Sequence, residues 1–77
     1  MPYSPELTAE LNILTQFNLD TTQEGVKVHG SAGPKAIAAA QRLFDKGITS
    51  QSDGGYLTEL GRSAAEHAQN LLQILKQ

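Results

Sequence analysis

The sequence predicts an α+β fold of three helices and a small antiparallel β-sheet, in the order helix, strand, helix, hairpin, helix. Three observations predict it. Apolar residues recur at helical spacing in three separate segments, beginning with Leu7, Leu11 and Leu14. Val26 and Val28 alternate with Lys27 and His29, the period of a half-buried strand. Ser52-Asp53-Gly54-Gly55 is a hairpin-turn composition between two short apolar-anchored segments.

Ser4 is placed to accept a hydrogen bond from a free backbone N–H, and Pro5 suits the first helical position. Glu6 lies near the positive end of the helix dipole. Leu7, Leu11 and Leu14, widened by Ile13 and Phe17, form the expected buried stripe of a helix from Pro5 to Phe17. Asn18 and Asp20 with two threonines end it. The strand segment, Glu24 to His29, is bounded by Gly25 and Gly30. Gly30-Ser31-Ala32-Gly33-Pro34 reads as a loop, because the residue before a proline avoids helical geometry. The second helix starts at Pro34 and runs to Lys46, with Gly47 as its C-terminal cap. Ile48, Tyr56 and Leu57 anchor the hairpin, and Thr58 caps a final helix from Glu59 to Leu75.

At 77 residues and 8.3 kDa the chain is expected to form one domain, residues 1–77, around one modest core. Tyr3, Phe17, Phe44 and Tyr56 are the aromatics, so Leu, Ile, Val and Ala must build that core, and association would help it. The absence of cysteine excludes disulfides, thiolate zinc sites and a cysteine nucleophile. No apolar stretch approaches the roughly 18 residues of a membrane span, and no membrane partner is expected. Met1-Pro2-Tyr3-Ser4-Pro5 lacks the positive region and apolar run of a secretory signal, so the cytoplasm is the expected location.

Catalysis, metals and cofactors are not expected. His29 and His67 are not in i, i+4 pairs with other ligands, and no HExxH spacing exists. A histidine on an apolar helix face, such as His67, is ordinarily a packing residue. Gly30 to Lys35 superficially suggests a phosphate loop, but it lacks the G-x-x-x-x-G-K-[ST] spacing and Pro34 removes a donor N–H. No Ser/His/Asp set follows from the spacing of the serines.

Leu43-Phe44-Asp45-Lys46-Gly47-Ile48 and Asp53-Gly54-Gly55-Tyr56-Leu57-Thr58-Glu59-Leu60-Gly61-Arg62 together resemble the second half of a winged-helix domain. There a recognition helix ends in a charged residue and Gly, an apolar strand and an Asp/Gly wing follow, and a Tyr-Leu-Thr-x-x-Gly-Arg junction opens the last helix. The resemblance covers about residues 34–70. It implies that Gly47 ends the helix in a left-handed conformation, that Ile48 packs the first wing strand, and that Gly61 lets the last helix approach the sheet closely. Helix-turn-helix proteins place another helix just before the recognition helix. Here Leu19 to Gly33 reads as turn, strand and glycine loop, so the resemblance is to an abbreviated winged helix. The whole chain is also similar to a small group of uncharacterised bacterial proteins of about this length.

The winged-helix resemblance implies double-stranded DNA as a partner. On the second helix, Ala36, Ile37, Ala40, Leu43 and Phe44 gather on the expected core face. Lys35, Arg42 and Lys46 fall in a separate stripe with Ala39 between them, and Arg62 and Lys27 offer further phosphate contacts. Against this stand an ordinary solvated helix face, a wing tip with Asp53 and no cation, and a net charge of −2. Residues 1–33 carry Glu6, Glu10, Asp20 and Glu24 against Lys27, whereas residues 34–77 hold five cations against four anions.

The other reading is a protein-interaction or homodimerisation domain. Leu60, Ala64, His67, Ala68, Leu71, Leu72, Ile74 and Leu75 cover about half the circumference of the last helix, wider than the roughly 100° of an ordinary surface helix. Either this helix packs on both other helices and the hairpin, or Leu71, Ile74 and Leu75 stay exposed as an interface with another protomer or protein.

Overall fold

The computed structural model describes residues 3–21 and 23–77. Met1 and Pro2 of the N-terminal segment read for a secretory signal, and Thr22 among the threonines after the first helix, lie outside the described residues. The elements are α1 (Pro5–Leu14), β1 (Val26–Lys27), a 3₁₀ turn (Gly30–Ala32), α2 (Pro34–Asp45), β2 (Thr49–Gln51), β3 (Gly54–Leu57) and α3 (Glu59–Leu75). The fold is therefore α+β, with three helices and one three-stranded antiparallel sheet of order β1-β3-β2.

Helix starts follow local chemistry. Ser4 Oγ accepts from Leu7 N–H at 3.1 Å, and Thr58 Oγ1 accepts from Gly61 N–H at 3.0 Å. Gly47 adopts φ 75° immediately after α2, as its role as a cap requires. Helix α1 stops at Leu14 rather than at the expected Phe17. Thr15 Oγ1 donates to the Asn12 carbonyl, Gln16 N–H turns to the Ile13 carbonyl, and the Gln69 amide of α3 donates to the carbonyls of Leu14 and Phe17. Side chains thus take over the carbonyls that a continuing helix would have used.

The expected strand shortens to Val26–Lys27, although Val28 N–H still donates to the Asp53 carbonyl and the alternation of half-buried Val26 and Val28 with exposed Lys27 and His29 holds. In the hairpin, Ser52 and Asp53 make the turn, and the glycines lie in β3. Thr49 pairs with Leu57 and Gln51 with Gly54, so β3 carries one extra residue, a bulge that the positive φ of Gly55 accommodates.

Ile13, Leu14, Phe17, Ala39, Ala40, Leu43 and Ala65 form the core, with Val26, Val28, Ile48 and Leu57 of the sheet region packed against it. Two expected faces are corrected. In α1 the buried positions are Glu10, Ile13 and Leu14, continued by Phe17, whereas Leu7 and Leu11 are exposed. In α2, Ala39 is buried rather than set among exposed cations, and Ile37 and Phe44 are exposed. In α2 the reason is that the helix is turned about its axis so that Arg42 and Lys46 face Glu10 of α1. Sequence hydropathy rewards burying Leu and Phe, but it does not register a buried carboxylate with two cationic partners.

The approach of α3 to the hairpin is made possible by Gly61. A Cβ there would collide with the Ile48 carbonyl oxygen. That carbonyl also accepts from Thr58 N–H, so the start of α3 is stitched to the residue preceding β2.

Candidate interaction surface

The cations of the sequence reading are brought into four different environments. Arg42 Nε donates to Glu10 Oε2 at 3.0 Å, and Lys46 Nζ pairs with Glu10 Oε1. A second Arg42 nitrogen donates to the Glu6 carbonyl at 3.2 Å. The i, i+4 spacing of Arg42 and Lys46 puts both on one face of α2, opposite a single acid on α1. Burial pushes the Glu10 carboxyl up. The hydrogen bonds and charges of Lys46 and Arg42 together outweigh it and hold the group below its ordinary value of 4.5. The cluster is an ion-paired clamp between α1 and α2.

Lys35 takes no part in that clamp. It is exposed beside a shallow depression formed with Pro5, Glu6, Ala9 and Pro34. Arg62 donates to the Leu19 carbonyl and lies 4.0 Å from Glu66, so it ties α3 to the segment after α1. Lys27 sits 4.0 Å from Asp53 in the β2–β3 turn. The stripe of Lys35, Arg42 and Lys46 is thus divided between two cations paired with Glu10 and one without an ion pair among the described residues.

His29 and His67 are both exposed and far apart in the fold order, on the loop before α2 and on α3. Among the described residues no three His, Asp or Glu side chains gather as a metal-binding group. No described helix is long and apolar enough to cross a membrane.

The most exposed of the large aliphatic side chains lie on α3. Its inward face is Gly61, Ala64, Ala65 and Ala68. Its outward face leaves Leu60 59%, Leu71 55%, Ile74 61% and Leu75 71% exposed. Of the two alternatives the sequence left open for Leu71, Ile74 and Leu75, exposure is the one observed, and Leu60 is exposed as well, near the start of α3. Beside this face, Leu11 of α1 with Ala68, Leu71, Leu72 and Leu75 of α3 lines an open groove of about 280 Å³. Leu11 was assigned to the core from its spacing. Its exposure instead extends the apolar surface across both helices.

Glu10 was not singled out as a functional residue, and only its burial in the fold reveals it.

Comparison with curated proteins and with solved structures finds no match in either. The chain belongs to a family of unknown function (DUF5669), whose model matches residues 1–76.

Proposed function

We propose that this member of a family of unknown function is a non-catalytic protein-docking domain whose α3 receives another helix. One observation carries this reading. Arg42 and Lys46 are held by Glu10, whereas the large apolar side chains of Leu60, Leu71, Ile74 and Leu75 stand in solvent. A contiguous exposed apolar surface on a small domain marks an interaction site. The adjoining α1–α3 groove gives it the concave form that an apolar helix face occupies.

The test is photo-crosslinking from single positions in cells. A photoreactive side chain at Leu71 or Ile74 is expected to yield protein adducts of discrete mass, and one at Gln73, on the other side of α3, none. The absence of protein adducts from both positions would overturn the reading.

The competing reading is a DNA-binding or transcription-associated domain acting through Lys35, Arg42 and Lys46 with Arg62. It rests on the winged-helix resemblance of residues 34–70, and it requires Arg42 and Lys46 to exchange Glu10 for phosphates. Salt-sensitive retardation of duplex DNA, lost in the Lys35/Arg42/Lys46→Ala triple variant, would favour it over docking.

A further inference from the structure

We propose that the cation face of α2 is a binding surface for the phosphodiester backbone of a nucleic acid, and that Glu10 masks it. The inference goes beyond the docking reading and stands without it. Lys35, Arg42 and Lys46 follow one another along α2 and its C-terminal cap, seven and four residues apart. They span about 16 Å at 1.5 Å per residue. Lys35 and Arg42 line one depression of about 260 Å³, with Glu6 as its acid. Asp45, the acid of α2 itself, accepts from the Gln41 amide at 2.9 Å.

Within the clamp, Glu10 is the inner partner and the cations are the outer ones. The acid is buried, whereas the Arg42 side chain is about a third and that of Lys46 about half exposed. Neither cation is used up by it. Arg42 meets the carboxylate through Nε alone, and its Nη2 donates to the neutral Glu6 carbonyl. Lys46 gives Glu10 one of its three N–H groups. A phosphate arriving from solvent therefore meets the open side of both cations. Glu10 opposes it in two ways. It cancels one of their two charges, and it holds both side chains toward α1.

The mask is strong because the acid is buried. Moving Arg42 and Lys46 onto phosphates leaves a carboxylate uncompensated between α1 and α2, which the fold resists. With Glu10 in place, Lys35 is the cation of this face without an ion pair among the described residues. With Glu10 neutral, all three are available. A nucleic-acid strand suits them because its anions recur about every 3.4 Å of axis, so each cation along the line finds one. A guanidinium also grips a phosphate through two parallel N–H groups, a fork that Arg42 does not make with Glu10. The acids of a protein partner would instead have to match the spacing of seven and four residues.

The test is the fluorescence anisotropy of a short duplex DNA titrated with the full chain at neutral pH over a series of salt concentrations. Glu10→Gln is expected to bind at least about tenfold more tightly than the parent at low salt, with a log–log salt slope steeper by about two, one for each released cation. Adding Arg42→Met and Lys46→Met to that variant should return both quantities to the parent values. Glu59→Gln makes the same change in net charge at an exposed acid of α3 and should leave the slope unchanged. Circular dichroism checks the fold, and Glu10→Met, which fills similar space without charge, replaces Glu10→Gln if that variant unfolds. Equal binding by parent and Glu10→Gln would overturn the mask. No binding by either would overturn the surface itself. An equal gain from Glu59→Gln would reduce the effect to net charge and overturn the role of Glu10. None of these results bears on docking through α3, which the crosslinks test separately.

Discussion

Replacing Arg42 and Lys46 together by Met is expected to destabilise the fold more than removing Glu10 itself. The asymmetry follows from burial. The Glu10 side chain is 6% exposed, against 32% for Arg42 and 47% for Lys46. Without its cations the carboxylate is stranded in the α1–α2 interface, at a cost of about 3–5 kcal/mol. Glu10→Gln leaves two cations that rehydrate where they stand, and about 1–2 kcal/mol is expected. A chain of this size holds roughly 4–12 kcal/mol in total, so the double variant should have a clearly lowered urea midpoint by circular dichroism.

The pH dependence adds a sign. The folded carboxyl titrates below its ordinary value of 4.5, so its stabilisation is present above that value and fades as pH falls through the lower folded one. In the double variant burial acts alone and raises the group. The gap between parent and variant should therefore be full at neutral pH and close in acid, where the stranded carboxyl protonates. A double variant within about 1 kcal/mol of the parent at neutral pH would refute the clamp, because the pairs would then be no more than surface ion pairs, with both cations free for phosphate.

Three further outcomes test the packing. Gly61→Ala should destabilise by about 1–3 kcal/mol through its collision with the Ile48 carbonyl; helix propensity alone predicts a gain of about 1 kcal/mol, so the sign in a urea titration decides. Leu43→Ala, at a fully buried core position, should cost about 2–5 kcal/mol by the same measurement. Gln69→Met should lower the thermal midpoint, since the Leu14 and Phe17 carbonyls lose their donor, and amide exchange should report fraying at the end of α1.

Local chemistry was legible. Ser4 and Thr58 are helix caps because a hydroxyl three residues before a free N–H has one good partner. Gly47 and the hairpin glycines announce positive φ for steric reasons that no context alters. The wide apolar arc of α3 was legible as well, but whether Leu71, Ile74 and Leu75 would be covered or exposed was left open, and the fold leaves them exposed. The rotation of α2 was not. Its composition supports burying either Ile37 and Phe44 or Ala39 beside Ala40 and Leu43, and the choice depends on what α1 presents across the interface.

The sequence by itself determined the element order, the helix starts, the strand alternation and the wide apolar arc of α3. Each follows from groups within a few residues of one another. Only the tertiary structure decided that Arg42 and Lys46 belong to Glu10, some thirty residues away, and that Leu7 and Leu11 stand outside the core. The physical reason is that a cation's partner is whichever acid the packing brings within hydrogen-bond reach, and that distance is a property of two helices together.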